Sequence, residues 1–144
     1  MASQTIDCYR QGAEICNGDA ECKKKIIELL TELCMPTGLF PMEDIQEFGY
    51  NRADGFVWII QKKNKNHTFK KTKRQVSYAT EVTTFVETHK MKKMTRVKTK
   101  ELMLWLSVVE MYFQTPSSDK LTFKTGTGLS DSFEAAAFEL EKVR

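Results

Sequence analysis

A chain of 144 residues, 41% hydrophobic and 28% charged, is long enough for one buried core and unlike a disordered composition. Its net charge of +3 is too small to imply a partner, but residues 1–61 hold 5 basic and 10 acidic side chains, residues 62–100 hold 13 and 2, and residues 101–144 hold 4 and 7. The middle third is the one positive region, and the protein's field draws anions there.

The first residues, MASQTIDCYRQGAEI, show no basic segment leading into an apolar one and no glycine at position 2. Neither a secretory signal nor a myristoylation site is read, and the expected address is cytoplasmic. Cys8, Cys16, Cys22 and Cys34 lack the close pairs that let two thiolates grip one zinc, so free thiols and no metal are expected. Ile6, Tyr9, Ala13 and Cys16 recur at helical spacing and predict a weak amphipathic helix. Asn17-Gly18-Asp19 supplies a cap, and Cys22, Ile26, Leu30 and Leu33 predict a second helix through about Cys34, ended by Pro36, Gly38 and Pro41.

After Pro41 the period changes to two. GYNRADGFVWII reads as two strands around an Ala53-Asp54-Gly55 turn, since Asp and Gly tolerate positive φ. KKNKNHTFKKTKR, residues 62–74, holds seven cations and no acid, and reads first as a hairpin rim guarded by lysines and second as a docking surface. Gln75 to Glu87 alternates clearly, with Val76, Tyr78, Thr80, Val82, Thr84 and Val86 on one face. Leu102 to Phe113 is nearly all apolar and predicts a strand covered on both sides; its core, LMLWL, is far too short to span a membrane. Turns follow at Pro116–Asp119 and Gly126–Gly128, and the tail SFEAAAFELEKVR fits helix and strand equally. The expected fold is mainly β, a small antiparallel β-barrel or roll with an N-terminal α-helical segment packed on it. One domain is expected over residues 1–144: helical to 41, barrel from 42 to 138, tail from 139 to 144.

The ordered set PTGLFP, GYNRADGFVWI, FKKTKRQVSYATEV, the stretch from Lys93 through Trp105, and KLTFKTGTGLSDSF resembles the plant family called domain of unknown function 538, over about residues 13–138. The resemblance implies a β-barrel-like roll with an N-terminal helix. Members have been likened in shape to lipid-binding barrels, and a chlorophyll-ester hydrolase role has been proposed for them. This chain departs from the family pattern at Phe40, usually leucine, and at FEAAAF, where a proline usually follows the first phenylalanine.

Three chemistries compete. An esterase would use Ser130 in GLSDS with His67 or His89 as base, although Ser132 stands where a nucleophile elbow has its last glycine. A basic docking surface on an acidic protein partner would use the same cations that could meet phosphates. Nucleic acid is disfavoured because only Phe69 interleaves the cations, so a base-stacking platform is missing. The leading expectation is a non-catalytic, monomeric domain without cofactor that binds a small apolar ligand or an anionic lipid surface. Trp58, Tyr78 and Trp105 would supply apolar contact, and Lys70, Lys71, Arg74, Lys93 and Arg96 the charge.

Overall fold

The computed structural model describes residues 4–140. Their elements are α1 (Gln4–Cys8), β1 (Glu14–Asn17), α2 (Asp19–Glu32), β2 (Ile45–Asn51), β3 (Phe56–Gln61), β4 (Lys65–Phe69), β5 (Arg74–Glu87), β6 (Lys90–Glu101), β7 (Leu104–Tyr112), β8 (Lys120–Thr125), β9 (Ser130–Glu134) and a 3-10 turn (Ala135–Phe138). All nine strands belong to one antiparallel sheet in the order β1-β2-β3-β5-β6-β7-β8-β9. β4 takes up the lane of β3 and pairs with the first half of β5, as β3 pairs with the second. No pairing joins β9 to β1 among the described residues, so the sheet is not closed, where a barrel was one expectation.

The segment expected to be helical to residue 41 contains a strand. The chain leaves α1 through Gly12, at φ 81°, and enters β1, so Ile6 and Cys16 belong to different elements. Their shared spacing comes from two packings: Ile6, Tyr9 and Ala13 pack on Phe56 and Trp58, while Cys16 packs on the main core. α2 follows its predicted stripe, burying Cys22, Ile26, Leu29 and Leu30. Its stop precedes the prolines. Cys34 turns left-handed at φ 58°, its N–H meets the Thr31 carbonyl at 3.1 Å, and the Met35 N–H meets that of Leu30 at 2.9 Å. This doubly bonded C-terminal cap satisfies the orphan carbonyls of the last turn.

The strand buried on both faces is β3, in place of the 102–113 run. Val57 and Ile59 face the main core, while Phe56 and Trp58 join a second cluster under the N-terminal segment. There Tyr9 stacks on Phe56 with ring centroids 4.1 Å apart. Opposite Trp58 stands Gly49, where a Cβ would lie 2.1 Å from the indole ring. Burial needs a cover on each side; β3 has one on both, whereas the start of β7 has exposed Leu104 and Trp105.

β5 and β6 are long and bulged. Between the Tyr78–Val97 and Thr83–Thr95 pairs, β5 advances five residues while β6 advances two, which pushes Thr80 into solvent and buries both Thr83 and Thr84. In β6 the buried residues run Met91, Met94, Val97 and Thr99, with Lys93 and Arg96 at φ 51° and 60°. The core beneath is one continuous cluster from α2 across β2, β5, β6 and β8. Residues 141–144 of the expected tail lie outside the described residues; its earlier part is strand through Glu134 and then the 3-10 turn, which drops Phe138 between Phe69 of β4 and Phe123 of β8 (4.8 and 5.3 Å). Phe138 thus ties lanes that share no backbone ladder, and the Gly38 N–H holds its carbonyl at 2.8 Å. Glu134, at φ −56°, has a conformation open to the proline that is usual in the resembled family.

Candidate functional site

Antiparallel meanders place alternate turns at opposite ends. The β4–β5, β6–β7 and β8–β9 turns (residues 70–73, 102–103 and 126–129) share one end of the sheet. The β2–β3, β5–β6 and β7–β8 turns share the other, where Gly55 and Val86 are hydrogen-bonded at 2.7 Å. The ends differ sharply in chemistry. The first carries Leu102, Met103, Leu104, Trp105 and Leu129, which are 92%, 87%, 66%, 38% and 66% exposed. The turns of the second carry no exposed large apolar side chain among the described residues.

The projecting feature is the β6–β7 hairpin. Glu101 and Leu104 are register partners, so Leu102-Met103 is the whole loop. Leu102 sits at φ 54°. Two-residue loops with positive φ at the first position call for glycine, asparagine or aspartate, and a leucine there costs roughly 1 kcal/mol. The turn therefore breaks two local rules together, backbone preference and apolar burial, and such conflicts concentrate at functional sites.

Behind the hairpin, Arg74 organises the end. Its guanidinium pairs with Glu101, donates to the Lys100 carbonyl at 2.9 Å, reaches Asp131 at 3.4 Å and lies 4.8 Å over the Phe133 ring. One side chain thereby ties β5, β6 and β9. A groove of about 250 Å³ opens beside it, with Leu106, Phe123, Leu129 and Phe133 as apolar walls and Ser130 and Asp131 at its rim. Around the tip, Lys70, Lys71, Lys73, Lys98 and Lys100 make no ion pair among the described residues, and the Lys100 ammonium stands 5.9 Å over the Trp105 ring. Lys98 and Trp105 flank a shallow depression with Asn64 and Asn66.

The residues singled out in the sequence are thus dispersed. Trp105, Lys70 and Lys71 stand at the apolar end, and Arg74 stands there too but is engaged by Glu101 and Asp131. Lys93 and Arg96 are exposed midway along β6, with the Lys93 ammonium 5.7 Å over Phe85. Trp58 is fully buried in the second cluster, its indole N–H donating to Glu47 at 2.7 Å. Tyr78 is fully buried in the main core, donates its hydroxyl to the Leu39 carbonyl at 2.7 Å, and has its pKa pushed up by burial. Ser130, His67 and His89 line three separate depressions: the groove beside Arg74, a cleft between β4 and the 3-10 turn, and a hollow at the opposite end with Phe113. Burial, then Lys65, lowers the His67 pKa. Among the described residues no three His, Cys, Asp or Glu side chains gather as metal ligands, and no helix is long and apolar enough to cross a membrane.

Sequence reasoning missed the hairpin tip because it treated an apolar run as a buried strand. The available signal was the Glu101-Leu-Met-Leu order directly after a lysine-rich segment, since the residues that pair with the start of the apolar run include Lys98 and Lys100 and belong to a segment with six cations.

Comparison with known families decides the affiliation. The model of the family described as "Protein of unknown function, DUF538" matches residues 26–139. The chain belongs to the DUF538 family. The match runs from the middle of α2 to the end of the 3-10 turn, so the sheet from β2 to β9 and the apolar end all lie within the DUF538 region. No curated protein and no solved structure matches the chain.

Proposed function

We propose that this DUF538 protein is a non-catalytic module that docks on anionic membrane surfaces through the end formed by the β4–β5, β6–β7 and β8–β9 turns. The observation that carries the reading is the β6–β7 tip, an exposed Leu102-Met103 loop followed by exposed Leu104 and Trp105 and ringed by lysines that make no ion pair among the described residues. The arrangement fits an interface in three layers. Leucine and methionine side chains transfer favourably from water into hydrocarbon, at about 1.5–3 kcal/mol each for full burial. Tryptophan favours the boundary, where its ring is apolar and its N–H wet. Lysines near a surface rich in anionic lipid contribute about 1 kcal/mol apiece, with their stems lying along apolar surface.

The exposed leucines favour this reading over docking on an acidic protein by charge alone, since charge pairing gives no role to a 92% exposed Leu102. The test is flotation with phosphatidylcholine vesicles with and without about one-third phosphatidylserine, at low and high salt. Docking predicts strong flotation with serine lipid and residual flotation when salt screens the lysines, because the apolar contribution is insensitive to screening. Absence of binding to anionic vesicles at low salt removes the proposal, and flotation abolished entirely by salt reduces it to charge pairing.

A further inference from the structure

At the opposite side of the fold, β1 passes the first turn of α2, and two cysteines meet there. The Cys16 and Cys22 sulfurs are 3.6 Å apart, and the Cys22 thiol also donates to the Cys16 carbonyl at 3.4 Å. The other two thiols, Cys8 and Cys34, are exposed. A disulfide bond is about 2.05 Å long, so the sulfurs need to close by roughly 1.5 Å, within reach of side-chain rotation. Access is unequal in a useful way. Cys16 is half-buried and opens on a groove of about 310 Å³ walled by Ile15, Leu29 and Phe48, whereas Cys22 is fully buried. Burial, with the Cys16 sulfur beside it, pushes the Cys22 thiol up to about 12. Cys16 is therefore the sulfur that meets a reagent first and Cys22 the one that resolves, which is the division of labour in a dithiol pair.

We propose that Cys16 and Cys22 form a reversible dithiol–disulfide site, oxidised by exchange with a small-molecule disulfide of the glutathione class. The Cys16 thiolate attacks one sulfur of the reagent, forming a mixed disulfide and releasing one reagent thiolate. Cys22 then gives its proton to solvent and attacks the Cys16 sulfur, releasing the second reagent thiolate. Two protein thiols lose two electrons in total, and the reagent disulfide gains them to become two thiols. The product is a loop linking β1 to the start of α2, and a reducing dithiol opens it again.

The site can be read directly. Arg10 and Lys23 are the basic residues flanking this stretch, so trypsin releases residues 11–23 as one peptide carrying both sulfurs and neither Cys8 nor Cys34. After incubation of the full chain with oxidised glutathione, that peptide is expected to lose about 2 Da, the two thiol hydrogens, and to regain them with dithiothreitol. In Cys22→Ser the reaction stops one step earlier, and the peptide keeps a glutathione adduct on Cys16. A stable adduct on Cys16 in the unaltered protein overturns the proposal, as does an unreacted 11–23 peptide under conditions that modify Cys8 or Cys34.

Discussion

Replacing the tip residues in the double variant Leu102→Ser/Met103→Ser isolates the apolar part of docking. Leu102 and Met103 are 92% and 87% exposed, so nearly all of each side chain is available for transfer into lipid. At about 2 kcal/mol per fully buried side chain, the pair contributes roughly 3.6 kcal/mol. At about 1.4 kcal/mol per tenfold change, the expected loss in vesicle partition is several hundredfold. Neither side chain belongs to the core clusters, so the thermal midpoint should stay within a degree or two of the parent. Sedimentation of sucrose-loaded vesicles gives the partition coefficient, and calorimetry the midpoint. A binding curve that does not move, with the fold intact, refutes the argument that the hairpin enters the bilayer.

Three further outcomes follow from other parts of the structure. Leu102→Gly relieves the left-handed backbone at φ 54° and should raise stability, offset in part by glycine's greater unfolded-state freedom, while weakening vesicle binding; opposite signs in the two assays are the signature of a turn kept for contact. Lys70→Ala/Lys71→Ala/Lys73→Ala should weaken binding to anionic vesicles by about a hundredfold, at about 1 kcal/mol per lysine, and leave partition into neutral vesicles unchanged. Gly49→Ala drives a methyl into the Trp58 ring, displacing the indole and its bond to Glu47; urea denaturation should show a loss of about 1–3 kcal/mol, and an unchanged midpoint would mean the second cluster repacks freely.

Much of the sheet could be read from the residues because its signals were local. Asp54-Gly55 marked the β2–β3 turn, Gly55 adopting φ 68°, and the alternation from Val76 to Val86 marked β5. The stripe on α2 identified that helix by its period, and the Asn17-Gly18-Asp19 stretch marked its start, with Gly18 as the N-cap and no side-chain cap bond. β6 stayed hidden because two bulges turn its buried period from two into three, and its six cations mask the rest. The 102–113 run was misread for a different reason. An apolar stretch records a tendency to leave water, and what satisfies that tendency lies elsewhere in the chain. β3 finds Ile6 and Tyr9 above it, while the start of β7 finds nothing in the described protein. The candidate site was split by the same blindness: its lysines were visible as a cluster, but the meander that carries them to the Leu102 turn is a long-range property.

The alternation of turns between two ends also settles how charge is partitioned over distance. β6 faces β7 from the Lys90–Tyr112 pair to the Glu101–Leu104 pair, and the regular course of β7 between them spans roughly 26 Å at strand rise. At physiological salt, interactions between exposed charges decay over about 8 Å. The acidic groups of the distal end, Glu32 and Glu14 beside Arg52 among them, are electrically remote from anything that Lys70, Lys71, Lys73, Lys98 and Lys100 touch. A chain of nearly balanced charge can in this way present a strongly cationic face without being a strongly cationic protein.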